Sequence, residues 1–260
     1  MCHWSFASNF FSYHTDCSQT EKFGWLEATH LLSPATQYIR DMESIYSKIL
    51  DDIMDAQEPN GLCLTMAPKT RHMCGQLHDI ITWCGIVAPF PEILHFYYDS
   101  THIFEKLFRP CVNYMEYIKT RENGSIEHGL GDWGRDTAFG NNQANIKTAI
   151  YYRCSRYVEI MAKVLGNSID QSRFRAWAHR ITKVYNEKLL VTDKKLHPYS
   201  CCTSRNDLGS QDRNMFTQAL ALQFGLVPEK YITHVQSASL DRGVNVNNKI
   251  SAEEIGLKYL

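Results

Sequence analysis

The chain has 260 residues, with 27 Lys and Arg against 28 Asp and Glu and 44% hydrophobic residues. That suffices for one large domain or two small ones with a sizeable buried core. The basic residues are dispersed, the longest run being Lys194-Lys195, which argues against a nucleic acid partner because phosphate binding needs concentrated positive charge.

The opening stretch MCHWSFASNFFSYHTD has neither the basic start nor the continuous apolar core of a signal peptide. It reads as the interior of a longer protein entered at a Met, and its first dozen residues are the only strand-like run. No apolar run reaches the ~20 residues of a membrane-spanning helix. The nine Cys cannot all pair within the chain and have no zinc-finger spacing, so dispersed buried thiols are expected. The eleven His form no HExxH and no tight cluster, which points to no metal site.

The rest is almost all helical. A helix should begin just after Trp25. From Asp41 to Asp55, Met42, Ile45, Tyr46, Ile49, Leu50, Ile53 and Met54 fall on one face of a 3.6-residue period, with Asp41 as the N-cap. Ile80–Tyr98 is helical but interrupted near Pro89 and Pro91. Thr101–Lys119 carries Ile103, Leu107, Cys111, Tyr114 and Ile118, with a kink expected at Pro110. Asn145–Leu165 is a long amphipathic helix stopped by Gly166 at C′. Ser172–Leu189, Arg213–Phe224 and Glu229–Leu240 follow, and SAEEIGLKYL reads as a helix start. Loops fall at 58–70, 121–143 and 193–210. About eight helices in hairpins predict an all-α fold, an α/α toroid or a helical solenoid.

The chemistry concentrates in HTDCSQTEKFGWLEATHLL, residues 14–32. Asp16, Glu21 and Glu27 surround Trp25 immediately before a helix. One acid held protonated beside an apolar ring can donate to a leaving oxygen while another binds hydroxyls. The same carboxylates are also what a helix N-terminus favours through its dipole. GLGDW lacks the third glycine and preceding strand of a nucleotide loop, and no GxSxG elbow supports a serine nucleophile.

The segment Asp16-Cys17-Ser18-Gln19-Thr20-Glu21-Lys22-Phe23-Gly24-Trp25-Leu26-Glu27 resembles the signature of the α-L-rhamnosidases of glycoside hydrolase family 78. NGLCLTMAP (60–68), HDIITWCG (78–85), HGLGDW (128–133) and NKISAEEIGLKYL (248–260) resemble further family motifs in the family's order, so the resemblance covers 1–260. It implies an (α/α)6 six-hairpin toroid, partial here with about eight of twelve helices and lacking its C-terminal part. It implies an inverting glycosidase for terminal α-L-rhamnosyl linkages of a glycoside or polysaccharide, needing no cofactor. Glu21 corresponds to the general acid and Asp16 to a residue that binds sugar hydroxyls. Trp25, Trp83 and Trp133 correspond to aromatic walls, and Glu27, Asp79 and Asp132 to polar neighbours. The general base would lie beyond Leu260, with Glu253 and Glu254 read as helix-start carboxylates. The family's Pro, Arg and Asp are here Ser18, Thr20 and Ala28. Those departures leave two alternatives open: a related barrel glycosidase of other sugar specificity, or a non-catalytic carbohydrate-binding remnant.

Overall fold

The computed structural model describes residues 2–70, 77–122, 125–126, 128–131, 144–192, 199 and 215–245. These contain ten α-helices: α1 Cys2–Ser8, α2 Leu26–Thr36, α3 Glu43–Ala56, α4 Ile81–Cys84, α5 Phe90–Tyr98, α6 His102–Arg121, α7 Ala144–Val164, α8 Ser168–Leu189, α9 Met215–Gln223 and α10 Ile232–Asn245. No strand ladder occurs among the described residues, only isolated bridges such as Phe10 with His14 and Trp25 with Met66. The chain divides into two compact units, Met1–Thr120 with Cys154–Arg175, and Arg121–Arg153 with Ala176–Leu260.

In the first unit the apolar period of α3 is realised directly. Tyr46, Ile49, Leu50 and Ile53 are all buried, and complete burial of each aliphatic side chain stabilises by about 1.5–3 kcal/mol. The N-cap position falls to Met42 rather than to the expected Asp41, which stands one residue earlier and accepts the Glu43 N–H at Oδ1 at 3.1 Å. The Ile80–Tyr98 region breaks where the prolines dictate. α4 tightens into a 3-10 turn over Gly85–Val87, and α5 restarts on Pro89 and Pro91, whose missing N–H groups cost nothing in a first turn. α6 runs through Pro110 as one helix, and the Pro110 carbonyl accepts the Gln57 side-chain amide at 3.0 Å. Cys63, Cys84, Cys111 and Cys154 are buried as expected of dispersed thiols, and burial pushes the first three well above the usual thiol range.

α7 ends as a glycine C′ predicts. Gly166 has φ +70°, its N–H bonds Lys163 O at 3.1 Å, and Asn167 N–H bonds Ala162 O at 2.8 Å. The next helix begins at Ser168, four residues before the sequence pattern does. Asn167 opens it through Oδ1 to Asp170 N at 3.0 Å and Nδ2 to Asp170 Oδ2 at 2.8 Å. The apolar period misses this turn because its only large apolar residue, Ile169, is 81% exposed.

In the second unit, Trp177 Nε1 donates to Tyr151 OH at 2.7 Å within a buried aromatic core, and α9 packs on α10. Asn186 ties the unit's outer turns together, donating to Leu226 O at 2.8 Å and accepting from Tyr199 OH at 2.7 Å.

One expectation is corrected. The strand-like opening dozen forms the helix α1 over Cys2–Ser8, closed by Asn9 N–H to Ser5 O at 3.1 Å and Asn9 Nδ2 to Ser5 O at 3.0 Å. An aromatic-rich run has no strand to pair with here, so its backbone satisfies itself locally. This helix and the division of Ile80–Tyr98 into α4 and α5 account for ten helices where eight are expected. Residues Arg213 and Asn214 and the helix start at 251–260, with Glu253 and Glu254, lie outside the described residues.

Candidate active site

The stretch between α1 and α2 is fixed at both ends by backbone pairing. At its start, Thr15 N–H and Oγ1 both bond Asn9 O, at 2.9 and 3.0 Å. At its end, Ala67 N–H bonds Gly24 O at 3.0 Å and Leu26 N–H bonds Thr65 O at 2.9 Å. The first motif is therefore paired with the second, 60–68. Gly24 is required there, since a Cβ would sit 2.4 Å from Ala67 O. Between the ends the chain turns tightly. Lys22 N–H bonds Cys17 O at 3.2 Å with Lys22 at φ +60°, and Glu21 N–H points at Cys17 Sγ at 3.2 Å.

That turn delivers Glu21 to Trp25. Trp25 Nε1 donates to Glu21 Oε2 at 2.8 Å, and the Trp25 ring meets Trp83 of α4 at 5.2 Å between centroids and 63° between planes. Both indoles are buried while Glu21 is exposed, so an acid stands at the rim of an aromatic wall. Edge-to-face rings at this separation favour one another electrostatically. Phe23 flanks Trp25 at 5.9 Å and 85°.

The other expected residues fall in several places. Glu27 is buried in the first turn of α2. Asp79, buried two residues before α4, accepts the Tyr117 hydroxyl at Oδ2 at 2.7 Å. Asp16 is exposed and lines a separate pocket of about 360 Å³ with Phe6, Asn9, His14, Leu32, Thr36 and Ile39. Glu21, Trp25 and Trp83 are not among that pocket's lining residues. Asp132 and Trp133, and with them the convergence expected of Asp16, Glu21, Trp83, Asp132 and Trp133, lie outside the described residues. Of their motif, Gly129 accepts the ammonium of Lys147 at 3.4 Å, a lysine wholly buried on α7.

Sequence reasoning passed over Tyr117, Lys147 and His14. Tyr117 adjoins the apolar face of α6 and is 38 residues from its carboxylate partner, so spacing gives no hint of the contact. His14 is fully buried, as a core histidine. Its Nε2 shares a 3.1 Å hydrogen bond with Tyr46 OH, which is itself hydrogen-bonded to Thr36 Oγ1. Burial pushes the His14 imidazole down to about 4 and the Tyr46 phenol upward. Among the described residues no three His, Cys, Asp or Glu side chains are grouped to hold a metal, and no helix is long and apolar enough to cross a membrane.

The model of the bacterial α-L-rhamnosidase six-hairpin glycosidase domain matches residues 1–260. The chain belongs to this family. An α-L-rhamnosidase of Formosa agariphila is 26% identical over 254 residues, 89% of this chain and 25% of the relative. A second from the same organism is 20% identical over 266 residues, 99% of this chain and 27% of the relative. The chain thus spans about a quarter of the length of the curated relatives it matches. Among solved structures, the α-L-rhamnosidase of Dictyoglumus thermophilum superposes with a TM-score of 0.82 at 24% identity, over 95% of this chain and 27% of that one. The Streptomyces avermitilis α-L-rhamnosidase complexed with L-rhamnose gives 0.82 at 19% identity, over 99% and 23%. The helices of this chain accordingly follow the fold of the rhamnosidase domain, and the ten among the described residues are consistent with a partial toroid.

Proposed function

We propose that this domain serves the hydrolysis of terminal α-L-rhamnosyl linkages with inversion, with Glu21 as proton donor to the departing oxygen. The observation that carries the reading is the Glu21–Trp25 hydrogen bond set against Trp83. The indole N–H fixes one carboxyl oxygen and leaves the other to face a substrate. The two rings offer an apolar wall suited to the C6 methyl of a deoxy sugar. Asp16 and Glu27 belong to the same family motif as Glu21, and Asp79 and Trp83 to the 78–85 motif, which supports sugar-binding roles for them. Asp132 and Trp133 join the reading through their motif alone.

Inversion requires a second carboxylate about 6.5–9.5 Å from the acid, with a water between. By the family's order of motifs this base comes from residues other than these 260. The chain alone then binds sugar and turns it over slowly or not at all, since general acid help contributes only about 10²–10⁴-fold.

The test is a panel of aryl glycosides of several sugars, with the anomer of the first-formed product read by NMR. The reading expects selectivity for α-L-rhamnosides and a β-configured product. Preference for another sugar would assign the Thr20 and Ala28 departures to altered specificity. Retention of configuration would overturn the inverting mechanism, and vigorous turnover by the 260 residues alone would place the base within them.

A further inference from the structure

α3 supplies no candidate site residue, yet it touches the segment that leads into the Glu21 turn. α3 reaches the turn through two adjacent side chains. His14 points inward, sharing its 3.1 Å hydrogen bond with Tyr46 OH on α3, with the edge of Phe10 against its ring at 5.1 Å and 67°. Tyr13 takes the other direction. Its hydroxyl donates to Lys22 O at 3.3 Å, and its ring lies against Gly24, where a Cβ would come within 2.9 Å of Tyr13 Cδ2. Lys48, two residues after Tyr46 on α3, sits over the Tyr13 ring at 5.8 Å. One dipeptide thus hooks to α3 with one side chain and grips Lys22 and Gly24 with the other. Those are the residues immediately after Glu21 and immediately before Trp25.

We propose that Tyr13 and His14 are positioning residues, a clasp between α3 and the 21–25 turn that sets the Glu21–Trp25 geometry. The catalytic consequence rests on the reading of Glu21 as the acid, but the geometric claim does not. Without the clasp the turn keeps its own bonds to Cys17 and the pairing of Gly24 and Leu26 with 65–67 but loses its tie to α3. A residue at φ +60° is costly unless its surroundings impose it, so the Lys22 conformation relaxes when the Tyr13 hydroxyl is lost. Lys22 movement then carries Glu21 away from the indole.

The experiment uses the 260-residue chain labelled with ¹⁵N at tryptophan. Trp25 Nε1–H is assigned through Trp25→Phe. Trp177 Nε1–H, bonded to Tyr151 OH at 2.7 Å in the second unit, is the internal control. Tyr13→Phe and His14→Phe are expected to shift and broaden the Trp25 signal while leaving that of Trp177 in place. His14→Gln, whose amide reaches Tyr46 as Nε2 does, restores it. L-rhamnose affinity, read in the same titration, falls about tenfold in Tyr13→Phe and in His14→Phe and stays at the parent's value in His14→Gln, as loss of a positioned contact worth ~1.4 kcal/mol requires. An unmoved Trp25 resonance in both Phe variants overturns the clasp, as does a parallel change in Trp25 and Trp177, which signals general loosening. If His14→Phe fails to fold, Tyr13→Phe decides alone. No response of the parent chain to L-rhamnose, with the Trp25 shift present, sinks the glycosidase reading and upholds the clasp.

Discussion

Glu21 and Trp25 are joined by a 2.8 Å hydrogen bond from the indole N–H to one carboxyl oxygen, four residues apart across a turn rather than along a helix. A helix would bring i and i+4 together by its own geometry. Here the contact depends on the turn at Lys22 and on the pairing of Gly24 with Ala67. The acid's position is therefore a tertiary property, and it responds to changes distant in sequence.

Replacing Glu21 by Gln tests the acid role most directly. The carboxamide keeps the size of the side chain and still accepts the Trp25 N–H, but it has no acid proton to give. In an active preparation of the domain, kcat/KM for substrates with poor leaving groups should fall about 10²–10⁴-fold. Activated aryl leaving groups need little protonation and should suffer much less. A plot of the loss against leaving-group pKa checks this, and a flat plot removes Glu21 from the role.

The hydrogen bond from half-buried Tyr117 to buried Asp79 predicts a stability effect separable from catalysis. Tyr117→Phe deletes one hydroxyl donating at 2.7 Å to a buried carboxyl oxygen while leaving the ring of α6 packed. Loss of a hydrogen bond to such a group costs about 1–3 kcal/mol. Urea unfolding should show a lower midpoint with an unchanged slope. Asp79→Asn, which can still accept the hydroxyl, should cost less. A Tyr117→Phe midpoint equal to that of the parent would show that the hydroxyl bond contributes nothing.

His14 makes acid stability predictable in sign. Its imidazole titrates at about 4 in the folded chain against 6.5 in its ordinary state. The unfolded chain thus binds a proton over this interval that the folded chain does not. Stability falls as pH drops through 6.5 and goes on falling to about 4, by at most roughly 3 kcal/mol from this group. His14→Gln removes the titration and should flatten that part of the stability–pH curve, measured by denaturant unfolding at pH 7, 5.5 and 4.5. Identical curves for parent and variant would mean that His14 meets water freely.

How far the sequence reveals this structure depends on the kind of signal. The α3 face was legible because four large apolar residues repeat at helical spacing and nothing else satisfies them. The α4–α5 break was legible because proline removes donors wherever it stands. The first helix was not, since its aromatic residues follow no helical period and Trp4 is 82% exposed. In the site, the Trp25–Trp83 wall was reachable only through resemblance to the rhamnosidase signature. That Asp16 lines a pocket with Leu32 and Ile39, one that Glu21 does not line, had no sequence signal. Nor did Tyr117 or the Tyr13–His14 pair. Their roles come from contacts across 9 to 38 residues, which no local spacing encodes.

Gly24→Ala probes the pairing on which the site depends. A methyl at this position would lie 2.4 Å from Ala67 O and 3.2 Å from Ala67 C, and these are backbone atoms that no rotamer change can move. The segment must separate from 65–67, which stretches both Ala67 N–H to Gly24 O and Leu26 N–H to Thr65 O, now 3.0 and 2.9 Å. Two weakened backbone bonds at about 0.5–1.5 kcal/mol each, with the shifts that overpacking forces, suggest a loss of roughly 2–4 kcal/mol. The separation also draws Trp25 away from Trp83, so its emission should move to the red. Gly166→Ala is the matched control. Gly166 has φ +70°, where an alanine is strained, yet nothing lies within 4 Å of the added methyl. It should cost about 1 kcal/mol or somewhat more through backbone conformation alone, with no change in Trp25 emission. Denaturant unfolding followed by tryptophan fluorescence distinguishes the two. If Gly24→Ala unfolds at the parent's midpoint with unchanged emission, the first and second motifs are not held together by this close approach.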